Sequence, residues 1–197
     1  MSANLSSTQS SRDLVQIRLS GAGGQGLITA GIILAEAALL DGKNVVQTQS
    51  YGPEARLGAS KAEVIISSKK IAYPQVTKPD WLLCLSQDAF QKYASQTNAD
   101  TAVIVDSGQI ESDISTDRCL YRLPMTEAAT KTGSKVVANV VALGAMNRLA
   151  GLVTPKNLRE AVSKRVPERF RTLNIKALEV GEELAAQLKE QLDHSKP

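Results

Sequence analysis

The feature that most constrains the fold is a glycine-rich segment, Ser-Gly-Ala-Gly-Gly-Gln-Gly, at positions 20–26. Residues 14–19 before it alternate between apolar and polar, which predicts a strand, and the apolar run 27–40 after it predicts a buried helix. Glycines at such a junction let the backbone turn sharply and leave the first helical amides open to an anion. The segment therefore predicts an α/β fold with a loop that can face an anionic group.

The ligand of this loop is not fixed by the glycines alone. Gly21, Gly23 and Gly26 satisfy the G-x-G-x-x-G pattern of dinucleotide-binding proteins. The second strand, predicted at 44–49, ends without the acidic residue that normally holds the NAD ribose, and Arg56 lies beyond it. No Gly-Lys-Ser/Thr follows, which excludes a Walker A loop. NAD is therefore disfavoured, while another anion, or tight packing alone, stays open.

A second cluster of unusual residues follows the second strand. If the sheet is parallel, this cluster lies at the same edge as the glycine loop, where open α/β sheets bind ligands. Arg56 can pair with Glu54 on the surface or meet an anion, while Tyr51 offers a hydroxyl and a flat ring. The full set of candidate binding residues is Gly21, Gly23, Gly24, Gln25, Gly26, Ser50, Tyr51, Gly52, Pro53, Glu54, Arg56 and Asn139.

The remaining pattern predicts strands that alternate with helices and a helical C-terminal end. Strands are expected at 62–68, 80–85, 101–106 and 118–123, and helices at 87–95, 136–149, 154–164 and 168–192. Ser86 and Thr154 are the expected N-caps, and the last helix is expected to break near Asn174 or Gly181. Asn139, on an otherwise apolar helix, is expected either to bond a loop backbone or to lie at the core edge. The prediction is one Rossmann-like, three-layer α/β domain at 14–192 with a mostly parallel sheet, after a flexible tail at 1–13.

Composition excludes several functions. The net charge of +3 and the 4% aromatic content give no nucleic-acid surface. No apolar run is long enough for a membrane span, and the N-terminus has no signal-peptide pattern. The single histidine, His194, leaves no catalytic triad. Cys84 and Cys119 are too few for a [4Fe–4S] cluster and indicate a reducing, cytoplasmic location.

Two motifs in this order resemble the γ subunit of 2-oxoacid:ferredoxin oxidoreductases. These are Gly-Ala-Gly-Gly-Gln-Gly at 21–26 and Ser-Tyr-Gly-Pro-Glu-Ala-Arg at 50–56. The segments 59–67, 137–145 and 174–181 extend the resemblance, which covers roughly residues 14–183. The residues of these motifs are most similar to those of the 2-oxoglutarate enzymes. One departure is Leu57, where the family usually has glycine, and it puts close backbone approach at that end of the loop in question.

The resemblance implies a chain without catalytic residues of its own. The enzymes convert a 2-oxoacid and coenzyme A into an acyl-CoA, carbon dioxide and reduced ferredoxin. Thiamine diphosphate and iron–sulfur clusters are then expected in partner subunits of the α, β and δ types, with coenzyme A as a shared ligand. The glycine loop is expected to face coenzyme A, partner subunits or both. Pyruvate, branched-chain and aryl 2-oxoacids, a free-standing nucleotide-binding module and a pure assembly scaffold are the alternatives.

Overall fold

The computed structural model describes residues 13–50, 59–111 and 119–194. The strands are β1 Leu14–Ala22, β2 Asn44–Ser50, β3 Ala59–Ser67, β4 Trp81–Cys84, β5 Ala102–Asp106 and β6 Leu120–Leu123. The helices are α1 Leu27–Leu40, α2 Gln87–Ala94, α3 Met125–Thr132, α4 Ala138–Ala150, α5 Pro155–Arg165 and α6 Glu168–His194. A 3₁₀ turn, Lys135–Val137, precedes α4. The strand–helix alternation and the helical C-terminal end confirm the predicted α/β class.

The sheet is mixed but mostly parallel, in the order β2-β3-β1-β4-β5-β6. β1, β4, β5 and β6 pair in parallel, whereas β3 pairs antiparallel with both β1 and β2. Five strands therefore run in one direction and only β3 runs in the other. β3 returns between β1 and β2, so that these two parallel strands are not direct neighbours. Their carboxyl ends still share one edge of the sheet.

Helices cover both faces of the sheet, as predicted for three layers, but unequally. Successive strand residues point to opposite faces, so Leu83 joins the core under α1, α3 and α4, while Leu82 and Cys84 face α2. Phe90 and Tyr93 of α2 complete the smaller core. Most buried apolar side chains of the described residues lie on the first face, where α5 packs on α1 and α6 packs on α4.

The crossing of α4 and α6 explains why the predicted break in α6 is wrong. A Cβ on Gly181 would lie 1.9 Å from the Val141 carbonyl oxygen, and one on Gly144 would lie 2.2 Å from that of Leu178. These two glycines therefore let the helix backbones approach closely. Asn174 also stays helical, since its side-chain amide donates to the Phe170 carbonyl at 2.9 Å. Tertiary packing outweighs the low helix propensity of both residues.

The predicted helix starts are confirmed at two positions. The Ser86 and Thr154 hydroxyls accept hydrogen bonds from the Ala89 and Asn157 amides at 3.3 and 3.4 Å. The helix predicted at 136–149 divides into the 3₁₀ turn and α4, and α3 has no counterpart among the predicted elements.

No helix in the described ranges is long and apolar enough to span a membrane. Residues 1–12 lie outside those ranges, and the division into a tail at 1–13 and one domain at 14–192 stays a prediction.

Candidate functional site

The glycine loop lies at the carboxyl edge of the sheet, between the end of β1 and the start of α1. In the sheet register Gly21 pairs with Ser60 and Ala22 with Ala59, so the first residues of β3 lie beside the loop. Ser50, at the end of β2, pairs with Lys61. The two residues that border segment 51–58, Ser50 and Ala59, therefore lie at the same edge of the sheet as the glycine loop. Ala59 is on the strand next to β1, and Ser50 is on the strand after that.

Five of the predicted binding residues, and the unusual residue beside them, fall in that segment. Tyr51, Gly52, Pro53, Glu54 and Arg56 lie outside the described residues, and their predicted roles stay predictions. The same holds for the effect of Leu57.

Gln25 holds the loop in place through two side-chain hydrogen bonds. Its side-chain oxygen accepts a hydrogen bond from the Ala22 amide at 2.7 Å, and its side-chain nitrogen donates to the Leu85 carbonyl at 3.1 Å. The loop is thereby tied to the residue that follows β4. Both polar ends of Gln25 are engaged inside the protein, which favours a supporting role over ligand contact.

Glycine is required at different positions of the motif for different structural reasons. Gly24 and Gly26 have positive φ values of 88° and 73°, which disfavour a residue with a Cβ. A Cβ on Gly21 would lie 2.3 Å from the Gln25 side-chain oxygen, and one on Gly26 would lie 2.5 Å from the Asn139 side-chain nitrogen. Among described atoms, nothing lies within 4 Å of a Cβ on Gly24. Gly21 and Gly26 thus serve internal packing, whereas Gly24 has no such contact among the described residues.

Asn139 holds the junction of the loop and α1. It bonds a loop backbone, which is one of the two roles predicted for it. Its side-chain nitrogen donates to the Gly26 carbonyl at 3.0 Å, and its side-chain oxygen accepts from the Val140 amide at 3.0 Å. The residue is buried. α4 therefore reaches across to fix the first turn of α1 from a position more than a hundred residues away in sequence.

Most amides of the loop and of the first turn of α1 have no hydrogen-bond partner among the described residues. The structure shows no acceptor within the described ranges for the amides of Gly23, Gly24, Gly26, Leu27, Ile28 and Thr29. The first turn has no acidic residue, and Gly26 provides no side-chain cap. Such amides carry partial positive charge at a helix start and suit a phosphate, a carboxylate or a partner's carbonyl. The arrangement can bind and orient a group, but it supplies no proton-transfer residue.

A buried ion network beneath this edge was missed by the sequence analysis. Arg18 and Glu63 face each other on β1 and β3, with 2.7 Å between the guanidinium nitrogen and the carboxylate oxygen. Lys61 donates to the same oxygen at 3.0 Å, and the Arg18 guanidinium lies 5.5 Å from the centre of the Tyr93 ring. The signal was present, because charged residues inside apolar strands must find partners when buried.

The described residues place no metal centre at this edge, and the one nearby described thiol, Cys84, is not activated. Burial raises the pKa of the Cys84 thiol to about 12, against weaker lowering by the Ser20 hydroxyl and Arg18, so the thiol stays protonated. No group of three or more metal-ligating side chains occurs within the described ranges. The site is therefore one of backbone amides held by side-chain amides.

Comparison with known proteins identifies the family. Residues 16–184 match the model of the pyruvate ferredoxin/flavodoxin oxidoreductase family. The chain is 45% identical over 177 residues to 2-oxoglutarate synthase subunit KorC of Methanocaldococcus jannaschii, covering 88% of this chain and 95% of that one. Identity is 33% to ketoisovalerate oxidoreductase subunit VorA of Methanothermobacter thermautotrophicus, covering 87% and 36%, and 27% to pyruvate synthase subunit PorC of M. jannaschii, covering 85% and 94%.

Two solved structures share the fold. A keto/oxoacid ferredoxin oxidoreductase γ subunit from Geobacter sulfurreducens superposes with a TM-score of 0.80 at 45% identity, covering 88% of this chain and 99% of that one. A 2-oxoglutarate:ferredoxin oxidoreductase from Magnetococcus marinus, solved with 2-oxoglutarate, coenzyme A and succinyl-CoA, gives 0.80 at 26%, covering 89% and 32%. The chain therefore belongs to the pyruvate ferredoxin/flavodoxin oxidoreductase family, as a γ-type subunit of a 2-oxoacid:ferredoxin oxidoreductase.

Proposed function

We propose that the chain is the γ subunit of a 2-oxoglutarate:ferredoxin oxidoreductase. The complete enzyme would convert 2-oxoglutarate, coenzyme A and oxidised ferredoxin into succinyl-CoA, carbon dioxide and reduced ferredoxin. The observation that carries the substrate assignment is the difference in identity. The M. jannaschii KorC and PorC subunits come from one organism and have similar coverage, yet they match this chain at 45% and 27%.

The redox chemistry of this enzyme would reside in partner subunits of the α, β and δ types. The full sequence has two cysteines, whereas an iron–sulfur cluster is typically held by four thiolates. Iron–sulfur clusters and thiamine diphosphate are therefore assigned to the partners, which pass electrons to ferredoxin. A reducing cytoplasm suits such an assembly and two free cysteines.

For the chain itself we propose a binding role at the glycine loop. The uncapped amides would receive an anionic group of coenzyme A, with Ser50, Tyr51, Glu54 and Arg56 contributing from the neighbouring segment. Gln25 and Asn139 support this arrangement, since they hold the loop through the Ala22 amide and the Leu85 and Gly26 carbonyls and do not use the amides of Gly23, Gly24 and Gly26. The alternative role for the same amides is contact with a partner's backbone.

Co-purification and substrate kinetics test the assignment. The γ subunit, tagged and expressed with its genomic neighbours, should recover chains that carry thiamine diphosphate and iron–sulfur clusters. The recovered complex should reduce ferredoxin fastest with 2-oxoglutarate among 2-oxoglutarate, pyruvate, 3-methyl-2-oxobutanoate and an aryl 2-oxoacid. Preference for another 2-oxoacid would refute the substrate assignment but not the family.

Titration of the isolated chain tests the free-standing module. NADH, NADPH, ATP and coenzyme A are each added to the chain without partners. Tight nicotinamide binding by a chain that recovers no partner subunit would refute the proposal.

A further inference from the structure

The two edge strands of the sheet, β2 and β6, differ in how they are protected. β6 is four residues long, and its Arg122 side chain donates to the Ile110 carbonyl at 2.7 Å. β2 is seven residues long and contains no charged residue and no proline. Proteins normally protect an exposed edge with short strands, charges or proline, because an unpaired edge is a template for another strand. β2 lacks all three protections, which is typical of an edge that pairs with another chain.

The outer backbone groups of β2 are largely unused within the protein. Its pairing with β3 runs without interruption from Asn44 to Ser50. Because successive residues of a strand direct their backbone groups to alternate sides, about half of the N–H and C=O groups face away from β3. Among the described residues, the one hydrogen bond that reaches this backbone from outside β3 is that of the Gln47 side-chain amide to the Thr48 carbonyl, at 3.3 Å. The outer edge is therefore open to a further strand.

The helix that packs on this edge, α1, has an apolar side that the described residues cover only in part. Ile28 and Ile32 are half-buried and Leu39 is 58% exposed. Their spacing of four and seven residues places them on one side of the helix. The one charged residue of α1, Glu36, is paired with Arg165 at 3.6 Å. A helix that is apolar around its whole circumference is normally buried, so this side is expected to have a partner.

The apolar side of α1 and the β2 edge have a common centre. α1 packs on β2 and β3. A Cβ on Gly31 would lie 3.7 Å from the Gln47 side-chain nitrogen. The middle of the helix therefore lies over the middle residue of β2, and Ile32 is next to that point.

We propose that the β2 edge and the apolar side of α1 form the interface of a symmetric dimer of this chain. The two β2 strands pair antiparallel across a two-fold axis at Gln47, and the two six-stranded sheets become one continuous sheet. The two α1 helices pack against each other beside the axis, with Ile32 close to its counterpart. The inference concerns the chain itself and does not depend on which 2-oxoacid the enzyme uses.

A second copy fits both parts of this surface. Two identical strands that pair antiparallel are related by a two-fold axis, so each copy makes the same contacts. No like charges meet, because β2 has no charged residue and Glu36 already has a partner. A strongly charged partner finds no opposite charge here. A single extended peptide can pair with β2 but leaves the apolar side of α1 uncovered.

The oligomeric state of the purified chain tests the inference. Sedimentation of the full chain is measured from about 1 to 100 µM, the range in which moderate and weak interfaces dissociate. We expect a dimer that forms as concentration rises. Ile32→Glu and Ile32→Lys each place like charges on both sides of the axis, so each should raise the dissociation constant at least about tenfold. An equal mixture of the two variants should form a dimer again, since opposite charges then face each other.

Hydrogen exchange identifies the surface that the dimer uses. In the wild-type chain the amides of β2 should exchange more slowly at high concentration than at low concentration, because they become bonded to the second copy. In Ile32→Glu they should exchange at the same rate at both concentrations.

Leu192, on α6 and outside this surface, provides the matched control. It is an apolar residue that is 45% exposed, so Leu192→Glu and Leu192→Lys make the same chemical change elsewhere. Both should leave the dimer unchanged. Thermal unfolding of each variant at low concentration checks that folding is intact.

A wild-type chain that stays monomeric over the whole range would overturn the inference. So would equal weakening by the Leu192 substitutions, or a dimer in which the amides of β2 exchange as fast as in the monomer. A mixture of the Ile32 variants that stays monomeric would contradict the two-fold axis at Gln47. A monomer whose β2 amides become protected only when other subunits are added would assign the surface to those subunits and overturn the dimer.

Discussion

The two ends of α1 differ in how far their backbone groups are hydrogen-bonded within the protein. At the C-terminal end the Asp41 carboxylate accepts hydrogen bonds from the Thr154 amide, the Thr154 hydroxyl and the Asn157 side chain at 2.7, 2.7 and 2.6 Å. The amides of Asp41, Gly42 and Lys43 satisfy carbonyls of the last turn. At the N-terminal end the first-turn amides have no acceptor among the described residues.

Each end contains a glycine with φ of 73°, Gly26 at the start and Gly42 at the end. They differ in their surroundings, because a Cβ on Gly26 would meet Asn139 whereas one on Gly42 would meet nothing within 4 Å. The closed end serves stability, since it joins α1 to α5. The N-terminal end, called the open end here, is held by Asn139 of α4, and its first-turn amides have no acceptor among the described residues. A binding loop requires such an arrangement.

Gly26→Ala should have the largest effect on the free energy of unfolding. Alanine is disfavoured in the left-handed backbone conformation of this position, and its Cβ would displace the Asn139 side chain. The combined cost is about 2 to 4 kcal/mol. Chemical denaturation of the γ chain measures this loss. In the Asn139→Ala background the same substitution should cost less, because the clash is gone. Additive losses in the double variant would show that the two residues do not interact.

Asn139→Ala alone should destabilise the chain by about 1 to 2 kcal/mol. It removes a donor to Gly26 and leaves the buried Val140 amide without its acceptor. Asn139→Asp is the sharper variant, since it keeps the shape but places an oxygen against the Gly26 carbonyl. If Asn139→Asp were as stable as the wild type at pH 7, the hydrogen bond would not be what holds the open end.

Asp41→Asn tests the closed end and should cost about 0.5 to 1 kcal/mol at pH 7. Partial burial raises the pKa of Asp41, but the hydrogen bonds from Thr154 and Asn157 and the charge of Lys43 outweigh it and lower the pKa below its usual value. A lowered folded-state pKa gives stability that is present above the unfolded-state pKa and is lost as pH falls. The wild-type advantage over Asp41→Asn should therefore shrink between pH 7 and pH 3. A constant difference across that range would contradict this assignment.

The sequence is sufficient to predict structure that depends on local pattern. The bounds of α1 and the caps at Ser86 and Thr154 follow from helical periodicity and capping chemistry. The loop at the carboxyl edge also follows from residue type and position, and the bond from Asn139 to a loop backbone is one of the two roles predicted for that residue.

Long-range pairing lies beyond such patterns. The return of β3 between β1 and β2 is invisible because an antiparallel strand has the same alternation as a parallel one. The continuous course of α6 through Gly181 depends on its contact with α4. The bonds of Asp41 to α5 join residues that are distant in sequence. The predicted binding role of Gln25 stays a prediction, and the sequence did not show that its side chain also supports the loop.

The most direct test of the account compares Gly24→Ala with Gly42→Ala in the assembled oxidoreductase. Both glycines have positive φ, and among described atoms a Cβ at either position has nothing within 4 Å. Each substitution should therefore lower the stability of the chain by a similar amount, about 1 to 2 kcal/mol. Only Gly24→Ala alters the open loop, so it alone should raise the KM for coenzyme A, by about tenfold if one hydrogen bond to a charged group is lost. Equal kinetic constants in the two variants would contradict the assignment of the glycine loop as the functional site.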